Sequence, residues 1–152
     1  MTGPGSDARL SALYQEVILD HYRRPRNRGT IAEPTGSASL RNPLCGDEVD
    51  VQVALHDGKV ADVKFAGRGC SISQASASML AALIEEEERM PRAEASALVE
   101  GFREALRSRG EIALDEEVFG DAAALSGVSK FTARVKCAML AWVAFEDASA
   151  RA

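Results

Sequence analysis

The sequence predicts an α+β protein, with an antiparallel sheet packed against helices, and three observations carry that prediction. Val49, Val51, Val53 and Leu55 alternate with Asp50, Gln52 and Ala54, the period of two that gives a strand one covered face. Asp57-Gly58 then marks a tight turn, and Val63 and Phe65 alternate beyond it, so the two runs form a hairpin. On both sides of the hairpin, apolar residues recur every three and four positions, the spacing of helices. At 152 residues the chain matches one domain, residues 1–152, with a core large enough to stand without disulfides.

The first six residues read as a short flexible head, with Ser6 capping the first helix. Leu10, Leu13, Tyr14 and Val17 share one face of that helix, and Asp20, His21 and Tyr22 close it. Pro25 and Gly29 end it within a stretch that gathers Arg23, Arg24, Arg26 and Arg28. These cations read equally well as a solvated helix end, favoured by the negative pole of the dipole, or as a surface for docking a partner. Gly36 to Leu40 is a short edge strand, and Pro43 biases Asn42 toward extended geometry.

After Cys70 the period changes, and Ile72, Ala75, Met79, Ala82 and Leu83 form a helical stripe that Met90 and Pro91 break. Leu98, Val99, Phe102 and Leu106 mark a further helix ended by Gly110. Between Glu111 and Gly127 the pattern predicts loops with short helical turns. Phe131, Val135, Ala138, Trp142 and Phe145 then lie along one side of a last helix, with Cys137 off that stripe. Leu140, Ala141, Val143 and Ala144 make this helix apolar over most of its surface, so it is expected to be central or interfacial.

A formal net charge of −5 argues against nucleic acid as a partner, because binders of phosphate backbones are basic over the relevant face. No apolar run approaches the roughly 20 residues that span a bilayer. The start of the chain has neither the basic residues nor the apolar stretch of a signal peptide. The expectation is a cytoplasmic protein with no membrane partner. Its three cysteines, none in a Cys-x-x-Cys pair, are expected to persist as thiols in a reducing compartment.

Those cysteines carry the candidate chemistry. Cys45 and Asp47 are two apart in an extended stretch, so both side chains can face one ion, and Gly46 between them lets the backbone bend closely. Cys70 follows a glycine-flanked turn and precedes a helix, at the positive end where a thiolate is favoured. With Cys137 these make three thiols and a carboxylate, a set that suits tetrahedral zinc, and soft sulfur donors favour zinc or iron–sulfur chemistry. The carboxylate points to a site whose ligands exchange, since closed structural sites use cysteine and histidine. Any one cysteine alone is more often a buried small hydrophobe, and the three positions together weigh against that. His21 and His56 qualify as ligands by residue type only, one at a helix end and the other in a turn.

Several blocks of the chain resemble a known family. Leu13-Tyr14 through His21-Tyr22, Pro25-Arg26-Asn27-Arg28-Gly29, Asn42-Pro43-Leu44-Cys45-Gly46-Asp47, Gly69-Cys70-Ser71-Ile72-Ser73, and Arg134-Val135-Lys136-Cys137 with Leu140-Ala141-Trp142 closely resemble the SufU branch of the IscU/NifU-like iron–sulfur assembly proteins. They occur in family order and span nearly the whole chain. The resemblance implies a three-stranded antiparallel sheet against helices, with the cysteines clustered at one exposed end. It implies zinc on Cys45, Asp47, Cys70 and Cys137, and sulfur accepted at Cys45 from the persulfide of a SufS-like cysteine desulfurase. The pyridoxal phosphate of that reaction belongs to the partner, and a SufBCD-type scaffold would lie downstream.

Two alternatives stay open under the same resemblance. One is a scaffold or carrier that holds iron or an iron–sulfur cluster on the same cysteines. The other is an interaction protein with structural zinc that activates the desulfurase. Lys136 stands where scaffold members usually carry a histidine, and its ammonium is a poor zinc ligand at neutral pH. The segment from about Met90 to Glu111 looks like the additional stretch of the SufU branch. Arg134 is placed to hydrogen-bond a carboxylate or stabilise a persulfide anion, with a surface salt bridge as the equal reading.

Overall fold

The alternating runs in the middle of the chain do form the sheet. In the computed structural model, which describes residues 4–43, 46–86 and 89–152, with side chains from residue 13 onward, four strands lie in sequence order. They are β1 (Gly36–Asn42), β2 (Asp47–His56), β3 (Lys59–Arg68) and β4 (Met90–Pro91), each antiparallel to its neighbour. Between β2 and β3, Asp57 and Gly58 both take positive φ, 54° and 74°, the tight turn whose twist matches a hairpin. The register shifts at Ala54/Leu55, and there Val53 and Ala54 are buried in succession where strict alternation would expose one of them.

The sheet thus has one strand more than expected. Met90-Pro91 is not only a break between helices, since it pairs with Val60 and Lys59 at the end of the hairpin. Two residues carry no alternation to read, and the proline sits on the sheet's last strand, where a missing N–H is tolerated.

Helices cover one face. They are α1 (Pro4–Arg23), α2 (Ser71–Glu86), α3 (Arg92–Arg107), α4 (Glu116–Phe119) and α5 (Thr132–Arg151), with a 3₁₀ stretch over Gly120–Lys130. The helix expected from Leu98 to Leu106 is α3, and the short helical turns expected before Gly127 are α4 and the start of the 3₁₀ stretch. α5 packs on β1, β2 and α2, the central position that its mostly apolar surface predicted. Trp142 is fully buried, stacks on Phe102 at a ring-centroid distance of 3.8 Å, and donates its indole N–H to Ser76 Oγ at 2.9 Å. Ser76 Oγ in turn donates to the Ala138 carbonyl at 2.6 Å, so the buried polar atoms of this contact are satisfied.

Three expectations about helix faces are corrected. α1 begins at Pro4, so Ser6 lies inside it and does not cap it, while residues 1–3 of the expected head fall outside the described residues. Leu13 is 58% exposed although its neighbours Tyr14, Val17 and Ile18 pack against the core. Phe131, expected on the buried stripe of α5, is 59% exposed because it precedes the helix and holds an extended conformation.

Candidate metal centre

Strand pairing brings the first two candidate ligands to one end of the sheet. Glu48 pairs with Arg68 across β2 and β3, so Asp47 at the start of β2 lies beside the Gly69-Cys70 turn that leaves β3. The Cys70 N–H donates to Asp47 Oδ1 at 3.0 Å, and Asp47 Oδ2 lies 3.6 Å from Cys70 Sγ. Cys70 also serves as the N-cap of α2. Its carbonyl accepts from the Gln74 N–H at 3.1 Å, and its sulfur accepts from the Ser73 N–H at 3.5 Å, in the place a serine or aspartate oxygen usually takes.

Gly69 makes this approach sterically feasible. A Cβ built there would lie 2.5 Å from Ser73 Oγ and 2.6 Å from Asp47 Oδ1, closer than real Cβ contacts come. The requirement is for space between the strand end and the helix start.

Cys137 joins from the second turn of α5, buried, with its thiol 3.9 Å from the Ala133 carbonyl oxygen. One donor atom each from Asp47, Cys70 and Cys137 lie within 4.8 Å of one another. Asp47 is 1% exposed whereas Cys70 is exposed, so the group is walled on one side and open on the other. The donors fit zinc. Tetrahedral coordination with ordinary Zn–S and Zn–O bond lengths puts sulfur and oxygen ligands about 3.6 Å apart. The observed Cys70 Sγ to Asp47 Oδ2 separation is the same 3.6 Å. A closed tetrahedron needs a fourth donor. Cys45, the sequence candidate for it, lies outside the described residues, next to Gly46, whose φ is 71° and whose N–H donates to the Asn42 carbonyl at 2.8 Å.

Arg134 stands in the first turn of α5, one turn before Cys137. Its guanidinium lies over the Phe131 ring, 5.8 Å from the centroid, and forms no salt bridge among the described residues. Lys136 and His56 are exposed, and His56 is not among the clustered donors. The arginines after α1 are partly neutralised. Asp20 accepts hydrogen bonds from Arg26, at 2.8 Å, and from Arg24, and these two guanidiniums hold its carboxyl below the usual carboxylate range.

His21 has a role that sequence reasoning missed. It is 1% exposed, with Nδ1 2.8 Å from Ser78 Oγ and Nε2 2.8 Å from Asp121 Oδ2. Ser78 Oγ also accepts the Arg26 N–H at 2.8 Å, so the same hydroxyl joins the ring to the turn after α1. The ring therefore ties α1 to α2 and to the 3₁₀ stretch. Its partners lie 57 and 100 residues away in sequence, with no local signal.

Known proteins resemble the chain in architecture and in sequence. The family described as NifU-like N terminal domain matches residues 13–138. The chain is 39% identical over 145 residues to the zinc-dependent sulfurtransferase SufU of Bacillus subtilis, covering 95% of each chain. It is 37% identical over 144 residues to the iron–sulfur cluster assembly scaffold protein IscU of Streptococcus pyogenes, covering 95% of this chain and 87% of that one. Among solved structures, the N-terminal part of a nitrogen-fixing NifU-like protein from Brucella abortus superposes with a TM-score of 0.81 at 25% identity, over 93% of this chain and 95% of that one. The chain belongs to the NifU-like N-terminal domain family, the IscU/NifU-like proteins of iron–sulfur cluster assembly.

Proposed function

We propose that this protein is a zinc-dependent sulfur acceptor and sulfurtransferase for iron–sulfur cluster biogenesis, taking persulfide sulfur from a SufS-type cysteine desulfurase. The observation that carries the reading is the buried Asp47 carboxylate, set among the Cys70 and Cys137 thiols with donor atoms within 4.8 Å. A hard oxygen donor beside thiolates belongs to a site that exchanges a ligand, which a relay needs and a structural zinc does not. The 39% identity to a relative named as a zinc-dependent sulfurtransferase supports the same choice.

Asp47, Cys70, Cys137 and Cys45 would hold the zinc, which when bound keeps its thiols deprotonated at neutral pH. The chain's own residues do the rest. The Cys45 thiolate attacks the outer sulfur of the partner's persulfide, a new S–S bond forms at Cys45, the old one breaks, and the partner's cysteine leaves as a thiolate. The Ser73 N–H and the helix end behind Cys70 steady that sulfur while Cys45 is engaged elsewhere. Arg134, one turn from Cys137, can swing from the Phe131 ring to pair with the persulfide anion. Sulfur then passes to a SufBCD-type scaffold, in the reducing cytoplasm where such thiols persist.

Cys45→Ser tests this reading. The variant is expected to lose sulfur uptake from the desulfurase while folding normally, and uptake at the parent rate would overturn the assignment. The scaffold reading is the second one, because a relative 37% identical is named as a scaffold protein. It requires the same sulfurs to bind iron. Lys136, exposed and cationic in place of the histidine usual in scaffolds, disfavours it.

A further inference from the structure

We propose that the groove between α1, the start of α2, the end of the 3₁₀ stretch and the start of α5 seats a segment of the sulfur-donating protein that carries an apolar side chain beside a carboxylate. The inference rests on the reading above and names how that partner is recognised. The groove holds about 690 Å³. Ile18, Ile72 and Val128 line it, and Leu19 and Phe131 stand on it 39% and 59% exposed, although both are large apolar side chains. Exposed apolar surface rimmed by charge marks an interaction site.

Its position suits a donor of sulfur. Ser71, which follows Cys70, and Arg134, one turn before Cys137, both line the groove, so it opens directly beside the clustered donors. A partner segment lying in it brings the rest of that protein to the end of the sheet where the thiols are.

Charge identifies the segment. Among the described residues, Lys130 and Arg134 line the groove, no carboxylate does, and neither cation has an ion-pair partner. In a chain of net charge −5 this is a local positive field, and it selects an anionic partner. The arginine patch after α1, which the sequence offered as a docking surface, differs. Arg24 and Arg26 already share Asp20, so a partner's carboxylate gains more at Lys130 and Arg134. An apolar residue against Leu19 and Phe131, with an acidic neighbour on Lys130, satisfies both features at once.

The test is isothermal titration of the zinc-loaded protein with its cognate SufS-type cysteine desulfurase, using the parent, Leu19→Asp and Lys130→Glu. Each substitution is expected to weaken binding about tenfold or more, with zinc content and circular dichroism unchanged. Added salt is expected to weaken the parent complex more than the Lys130→Glu complex. Parent affinity in both variants, with sulfur still transferred, would overturn the groove while leaving the function intact. A parent that neither binds the desulfurase nor accepts sulfur would overturn both. Loss of self-association in Leu19→Asp, with desulfurase affinity unchanged, would assign the groove to a second copy of this chain and overturn the proposal.

Discussion

Replacing Gly69 by alanine isolates the contact on which the candidate metal centre depends. The added methyl carbon would sit 2.5 Å from Ser73 Oγ and 2.6 Å from Asp47 Oδ1, so one neighbour has to move. If the backbone gives way, overpacking of this kind costs about 1–3 kcal/mol. If the Asp47 carboxylate gives way instead, it leaves the Cys70 N–H, and losing a hydrogen bond to a charged group costs about 1.5–3 kcal/mol. Both routes converge on about 2 kcal/mol. Where Asp47 moves, the substitution weakens zinc binding, because the carboxylate no longer stands beside the Cys70 sulfur. It also lowers the melting temperature of the metal-free protein by about 4–8 °C for a chain of this length. Competition with a chromophoric chelator measures the affinity, and thermal denaturation measures the stability. Gly127→Ala, where a Cβ meets nothing within 4 Å, is the matched control. Wild-type zinc affinity and melting temperature in Gly69→Ala would refute the idea that this glycine lets Asp47 reach the thiol turn.

Two further predictions concern parts of the fold away from the thiols. His21→Ala removes a fully buried ring together with its bonds to Ser78 and Asp121, so denaturant unfolding should show a loss of about 2–4 kcal/mol with zinc stoichiometry unchanged. A loss below about 1 kcal/mol, or loss of zinc, would contradict its role as a bridge in the core. Asp20 has a folded-state pKa below its ordinary 3.8, with the Arg26 hydrogen bond the largest cause and that of Arg24 next. Its contribution to stability is therefore present above the unfolded value of 3.8 and fades as pH falls through the lower folded value. Carboxyl NMR titration should show Arg26→Ala raising the Asp20 midpoint more than Arg24→Ala does, and the reverse order would contradict the assignment.

Much of this was legible because the relevant signals are local. The hairpin declared itself through alternation and Asp57-Gly58, and α5 through its apolar surface, since period and turn chemistry are read within a few residues. Asp47, Cys70 and Cys137 could be grouped because their residue types are chemically unusual, and the sheet then supplies their meeting point. What escaped depends on distant partners. Nothing near His21 announces Ser78 or Asp121, and β4 consists of two residues whose pairing is decided by Val60 and Lys59. Phe131 and Leu13 look like core by spacing, and only the position of the helix start and the turn of α1 expose them. Gly69 reads as an ordinary turn residue until the Asp47 carboxylate is seen against it. The groove is a product of four elements, α1, α2, the 3₁₀ stretch and α5, and has no sequence signature.

The central claim is that sulfur is taken up on Cys45 while zinc stays with the protein. Intact-protein mass spectrometry of the zinc-loaded protein, after incubation with its cysteine desulfurase and free cysteine, tests it most directly when the added mass is mapped to a residue. The expected result is one or more sulfur atoms on Cys45, with zinc retained in the complex. No added sulfur on any cysteine, together with an absorbing cluster when iron is supplied, would contradict the account and establish the scaffold reading in its place.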